Sequence, residues 1–184
     1  IADLVRYKRY EPSALGEEAT DELRSLARYR MSLVERSTML KNRATAILDR
    51  VFPELDGLFS GSFGPTQRAL LEHCSTPSQV LSTNVRTLER ILREASGGKC
   101  GREKAEKLKA AARSSVGVGF GSRTLAFEIR LLMEELDFVR GQIDEVDGEL
   151  ARLLDETDGR WLLTVPGIGL VLAATIAGEI GDAN

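Results

Sequence analysis

The chain has 184 residues, 42% of them hydrophobic and only 5% aromatic, with 29% charged side chains and a formal net charge of −3. A balance this close to neutral excludes a chain that binds polyanions over its whole surface, so nucleic-acid contact has to come from local patches. The low aromatic and high charged shares belong to long helices more than to a thick globular core.

Cys74 and Cys100 have neither CxxC spacing nor a histidine-rich neighbourhood, which reads as reduced thiols in a cytosolic protein. No apolar run reaches the length of a membrane span and no signal peptide is present, so no membrane partner is expected. The opening Ile-Ala-Asp, without Met, reads as a piece of something longer.

Residues 1–14 read as the tail of a helix and then an extended linker around Pro12. Residues 15–51 form the first long helix. Its heptad seam runs Leu23, Leu26, Arg30, Leu33, Ser37, Leu40, Ala44, Ile47, Val51, apolar at seven of nine stops.

Pro53, Gly57 and Gly61 end that helix, and residues 52–122 read as a helical insertion. Pro65–His73 is one short helix, Thr76-Pro77 caps and starts another, and Asn84–Ala95 and Arg102–Arg113 follow. No strand pattern persists. His73 beside Cys74 lacks a third ligand and carries no metal or catalytic role. Lys99, Arg102, Lys104, Lys107, Lys109 and Arg113 outnumber Glu103 and Glu106 by four. Lys104 and Lys107 are therefore candidate contacts to a nucleic-acid backbone, although a solvated helix face accounts for the pattern about as well. Gly117-Val118-Gly119-Phe120-Gly121 lacks the Lys-Ser/Thr of a phosphate-binding loop and reads as a flexible hinge.

Residues 123–163 form the second long helix. Leu125, Ile129, Leu132, Leu136, Val139, Ile143, Val146, Leu150 and Leu153 are all apolar along a 3.5-residue period, which predicts a coiled-coil arm. Both seams span 29 residues, so the two helices are expected to pair antiparallel. Charge agrees: Tyr29, Arg36, Arg43 and Arg50 flank one seam, and Glu128, Glu135, Gln142 and Glu149 flank the other. Arg36, Arg43 and Arg50 could line an RNA or DNA groove, but the glutamates opposite favour ion pairing. Leu131, Met133 and Phe138 lie off the main stripe and are candidates for contact between protomers.

Residues 164–184 begin with Val165-Pro166-Gly167-Ile168-Gly169, between the arm and an apolar helix from Leu170 to about Ile180. Hydrophobic-Pro-Gly-hydrophobic-Gly between helices is a helix-hairpin-helix signature. Its glycines bare backbone N–H groups at a helix N-terminus, where a phosphate can sit without sequence being read. Pro166, Gly167, Ile168 and Gly169 are the candidate DNA-binding residues, and the alternative is a tight turn with a proline stop. Because Gly167-x-Gly169 follows a helix and lacks the third glycine, it is no dinucleotide fingerprint.

These stretches together carry a resemblance. ARYRMSLVERSTMLKNRATAILDRVFPEL at 27–55, CSTPSQV at 74–80, the arm, and LLTVPGIGLVLAATIAGEIGD at 162–182 resemble the DEDD-type transposases of insertion sequences. These are relatives of the Piv/MooV DNA invertases, described as bridge-RNA-guided recombinases. The resemblance implies an enzyme that cuts and joins DNA. It places four acidic Mg²⁺ ligands in a RuvC-like domain before this stretch and a nucleophilic serine after it. It therefore implies no catalytic residue, metal ligand or cofactor within these 184 residues, and Asp3 is not promoted to a ligand.

The expected architecture is all-α: a long antiparallel coiled coil, a small helical insertion, and the start of a helix-hairpin-helix. The expected role is the central scaffold of a DNA transposase, cytoplasmic and nucleoid-associated in a prokaryote. Its implied partners are DNA, a guide RNA and further copies of itself. The rival is a non-enzymatic coiled-coil adaptor or DNA-repair scaffold with a helix-hairpin-helix tip.

Overall fold

Two helices of 34 residues dominate the computed structural model, which describes residues 18–59, 61 and 63–180. The expected tail and linker at 1–14 lie outside the described residues. In chain order the helices are α1 (Glu18–Val51), α2 (Pro65–His73), α3 (Pro77–Ser82), α4 (Val85–Ala95), α5 (Arg102–Arg113), α6 (Ser122–Asp155) and α7 (Leu170–Ile180). Short 3₁₀ segments lie at Pro53–Leu58 and Asp158–Thr164. No strand occurs among the described residues, and the fold is all-α. The chain divides into two compact units, one of residues 33–142 and one of residues 1–32 with 143–184.

The 33–142 unit holds the C-terminal part of α1, the insertion and the N-terminal part of α6. The seam residues of both long helices turn inward: Leu33, Ala44 and Val51 on α1, and Ile129, Leu136 and Val139 on α6, are all buried. Arg36 pairs with Glu135 and Arg43 with Glu128, each at 2.6 Å. Residue numbers rise along α1 as they fall along α6, so the two helices run antiparallel here. These pairs are largely exposed and each contributes about 0.2–1 kcal/mol, whereas each buried seam side chain contributes roughly 1.5–3 kcal/mol. Apolar packing holds the pair together; charge selects its direction.

Turn chemistry starts the insertion helices. Thr76 and Gln79 form a reciprocal capping box at α3, and the Asn84 side chain accepts from the Arg86 N–H at the start of α4. Helix α4 packs against α2 and α5, and α5 also packs against α3 and the first 3₁₀ segment. Met133, expected to be free for a partner, is fully buried instead. Arg68 of α2 pairs with Asp137, one turn beyond Met133 on the same side of α6, so the insertion covers that face. Leu131 and Phe138 stay exposed.

The glycine-rich segment before α6 differs from the flexible hinge its composition suggests. The Val118 N–H donates to the Arg50 carbonyl at 2.8 Å. A Cβ on Gly117 would lie 1.9 Å from the Val51 carbonyl oxygen. This backbone-on-backbone approach needs glycine for lack of room, and it docks the segment onto the end of α1.

The other unit is described over residues 18–32 and 143–180. Arg30 interrupts the α1 seam as a polar residue and is satisfied by a two-point contact with Asp147 of α6, whose second leg is 3.1 Å. Helix α6 ends at Asp155 rather than continuing to residue 163. The Thr157 hydroxyl accepts from the Gly159 N–H, and the chain tightens into the 3₁₀ turn of Asp158–Thr164. A Cβ on Gly159 would fall 2.6 Å from that of Ala177 and 2.8 Å from Leu154 Cδ1, so the turn is pressed between α6 and α7.

Helix α7 docks by a face of small residues. Ala173 and Ala174 are fully buried, and a Cβ on Gly178 would meet the α1 backbone at Arg24 N, 2.7 Å away. The Arg28 guanidinium holds Glu179 from the other side of the contact, at 2.8 and 2.9 Å.

Candidate nucleic-acid interface

The turn between the second 3₁₀ segment and α7, where the sequence predicts a helix-hairpin-helix, is built by Val165–Gly169. The Ile168 N–H closes the turn on the Val165 carbonyl at 3.1 Å, and the first helical bond of α7 is Ala173 N–H to the Gly169 carbonyl at 2.9 Å. The N–H groups of Leu170, Val171 and Leu172 therefore have no partner within α7, as at any helix start. Pro166, Gly167 and Gly169 are exposed and Ile168 is half-buried.

The two glycines differ physically. Gly167 sits at φ +91°, a conformation that strains any L side chain, although open space surrounds it. Gly169 has an ordinary φ and nothing within 4 Å of an added Cβ. Only the first is needed by the turn itself.

Electrostatics around the hairpin do not favour an anion. Near the turn Asp155 and Asp158 stand against Arg160, while Glu156 is paired with Arg152 and Glu179, at the far end of α7, with Arg28. Arg160 lies over the Trp161 ring, 5.0 Å from its centroid, and Trp161 is exposed. The Glu179 pKa lies below its ordinary value, chiefly because Arg28 donates to the carboxylate. Any phosphate here would depend on backbone N–H groups alone.

The four candidate backbone-contacting cations, Arg36, Arg43, Lys104 and Lys107, are already engaged. Arg36 and Arg43 hold Glu135 and Glu128. Lys104 donates to the Leu58 carbonyl, with its Nζ 4.9 Å from the Phe59 ring centroid. Lys107 pairs with Glu103 at 2.7 Å, a contact one turn apart and exposed on both sides, which depresses the Glu103 pKa through that hydrogen bond first and the lysine charge second. Sequence reasoning passed over Arg86, Arg90 and Arg93 of α4, although their i, i+4, i+7 spacing puts them on one exposed helix face.

His73 is exposed, whereas Cys74 is buried with its Sγ 3.3 Å from the Thr83 hydroxyl. Among the described residues no three His, Cys, Asp or Glu side chains come together as a metal site. None of the described helices is long and apolar enough to cross a membrane.

The described residues thus define an all-α protein with an antiparallel pair of long helices and a cationic helical insertion. Residues 1–53 match the family model of the DEDD-type IS110 transposases, described as transposase. That segment is similar to the transposase family, and its described part is helix α1 with Phe52 and Pro53. No curated protein matches the chain.

Proposed function

We propose that this chain is the central scaffold of an IS110-type transposase, related to the Piv/MooV invertases and RNA-guided recombinases, that cuts and joins DNA when an insertion sequence moves. One observation carries this reading: the transposase-family match falls on α1, the helix around which both units are built. In this reading α1 and α6 form an antiparallel coiled coil interrupted by the insertion between them. The coil spaces a RuvC-like, Mg²⁺-binding domain, to which residues 1–14 form the tail, from a serine-bearing domain that starts at the 164–184 hairpin.

In this reading metal chemistry belongs to the RuvC-like domain. This chain's part is to position, to hold protomers together through exposed positions such as Leu131 and Phe138, and to contact DNA backbone at Pro166–Gly169. A guide RNA and a cytoplasmic, nucleoid-associated setting in a prokaryote complete the picture.

The test is strand exchange by the full-length protein with Mg²⁺ and its element's DNA. DNA cleavage and joining, lost when acidic residues outside these 184 are changed but retained after changes to the carboxylates within them, supports the scaffold reading. A full-length protein that binds DNA but never breaks a strand points instead to the adaptor or repair scaffold.

A further inference from the structure

The charge of this chain is segregated. Residues 85–113 carry nine Lys and Arg against four Glu, a surplus of five cations in a protein whose net charge is −3. The surplus is displayed on one substructure, the antiparallel pair of α4 and α5. An added Cβ on Gly101 would lie 3.6 Å from Arg93 Nη2, so the end of α4 meets the start of α5. Lys109, in the second half of α5, reaches the carbonyl of Leu81 in α3, just before α4 begins, at 2.8 Å, and α4 and α5 pack along one another. Leu88, Ile91 and Leu92 on one helix, and Ala105, Leu108 and Ala112 on the other, are buried. The charged faces consequently point outward.

All four glutamates are already taken by exposed partners one turn away: Glu94 by Arg90, Glu89 by Arg93, Glu106 by Arg102 and Glu103 by Lys107. Arg86, Lys99 and Arg113 are exposed and have no carboxylate within ion-pair distance among the described residues. This surface also displays no large exposed apolar side chain anywhere between residues 85 and 113. Protein interfaces centre on a well-packed, desolvated cluster in which aromatic side chains and Arg dominate, and this surface offers solvated cations with no aromatic or apolar neighbour to pack them. A row of cations without an anchor suits a regularly charged polyanion.

We propose that the outer face of α4 and α5 is a nucleic-acid surface that grips the phosphate backbone of duplex DNA without reading its sequence. The choice of DNA among polyanions rests on the transposase reading above. The surface lies apart from the hairpin in sequence, carries the opposite sign of charge, and centres on Arg86, Lys99 and Arg113 rather than on Lys104, which is held by a carbonyl. The exposed ion pairs of Arg90, Arg93 and Lys107 can exchange a glutamate for a phosphate as the duplex approaches.

The experiment measures binding of the 184-residue chain to fluorescent duplexes of two unrelated sequences across a salt series. The same series is repeated with Arg86→Gln/Lys99→Gln/Arg113→Gln, changes that break no ion pair. The variant should melt like the parent, bind both duplexes at least tenfold more weakly at low salt, and lose about 2–3 from the slope of log K against log salt, close to one per phosphate contact. Equal affinity and slope in parent and variant overturn the proposal. So does a loss confined to single-stranded RNA, which would make this an RNA surface. Strand exchange by the full-length protein is read separately: its absence sinks the transposase reading, and an unchanged salt slope sinks only this surface.

Discussion

The Glu54 carboxylate accepts the Ser115 hydroxyl at 2.6 Å and the Val116 N–H at 2.8 Å, fastening the start of the insertion to its end across sixty-one residues of chain. The same junction brings Gly117 onto the Val51 carbonyl and Val118 onto Arg50. An insertion between two long helices adds loop-closure entropy, and a clasp at its neck fixes where both helices begin and end. Partial burial pushes the Glu54 pKa up, but the hydrogen bonds from Ser115, Val116 and its own backbone together outweigh it and leave the group below the ordinary carboxylate value.

A depressed folded-state pKa means that the clasp stabilises the fold above the unfolded pKa of about 4.5 and that this contribution fades as pH falls through the folded value. Glu54→Gln should therefore melt below the parent at pH 7, with the gap closing toward pH 3. Melting curves at both values check it; a gap that stays constant with pH denies the carboxylate its role. Gly117→Ala should lower stability by about 2 kcal/mol, since the added methyl meets a backbone carbonyl rather than a side chain that can move. Gly119→Ala, with open space around it, should stay within about 0.5 kcal/mol of the parent.

The register of the long pair makes a sharper prediction than its charge pattern alone. Glu128 faces Arg43, and Glu135 faces Arg36. Arg43→Glu should weaken the fold slightly, Glu128→Arg added to it should recover part of the loss, and Glu135→Arg added to it should not. The coupling should stay below about 1 kcal/mol and shrink with salt, because both pairs are exposed. Double-mutant cycles in thermal unfolding at low salt measure it. Equal coupling to both glutamates contradicts the register.

Helix α7 supplies a matched pair of glycine tests. Gly178→Ala should destabilise, because its Cβ would lie 2.7 Å from Arg24 N and 2.8 Å from Arg24 Cα, so the two helix backbones would have to part. Gly148→Ala, inside α6 with nothing within 4 Å, should stabilise by about 0.5–1 kcal/mol through helix propensity. Chemical denaturation of both variants reads the contrast. If Gly178→Ala matches the parent, the close docking of α7 on α1 is wrong.

The parts of this fold that were legible in sequence are those governed by local pattern. Seam residues such as Leu23, Ile129 and Leu150 are buried because a heptad stripe forces them inward wherever the partner lies. The cap at Thr76 is short-range chemistry and reads directly, whereas Asn84, read as the first residue of its helix, caps it instead. What escaped reading depends on contacts far apart in the chain. Met133 looks like a surface residue until the insertion is folded over it, and Gly159 and Gly178 look ordinary until α7 is laid against them. The α6 break at Glu156-Thr157 contains neither proline nor glycine, and its one local sign is that the apolar seam stops at Leu153, with Thr157 and Arg160 at the next two stops. At the candidate site, the hairpin turn was legible from Pro-Gly-x-Gly, whereas the engagement of Lys104 by Leu58 was not, because nothing local brings residues 58 and 104 together.

The hairpin itself allows turn strain to be separated from ligand approach. Gly167 must be glycine for conformation, so Gly167→Val should loosen the turn and unsettle the start of α7 whether or not DNA is present. Gly169 meets no such requirement: Gly169→Val leaves the fold intact and sets a branched side chain beside the free N–H groups of Leu170, Val171 and Leu172. If those groups hold a phosphate, Gly169→Val in the full-length protein should weaken DNA binding roughly equally for every sequence, while helicity by circular dichroism and the melting temperature stay unchanged. The acidic surroundings of the hairpin make a small effect the expectation, about 1 kcal/mol, smaller than the loss from neutralising Arg86, Lys99 and Arg113. DNA affinity untouched by Gly169→Val but reduced by Gly167→Val would mean that the turn matters for holding α7 and that no phosphate sits on it.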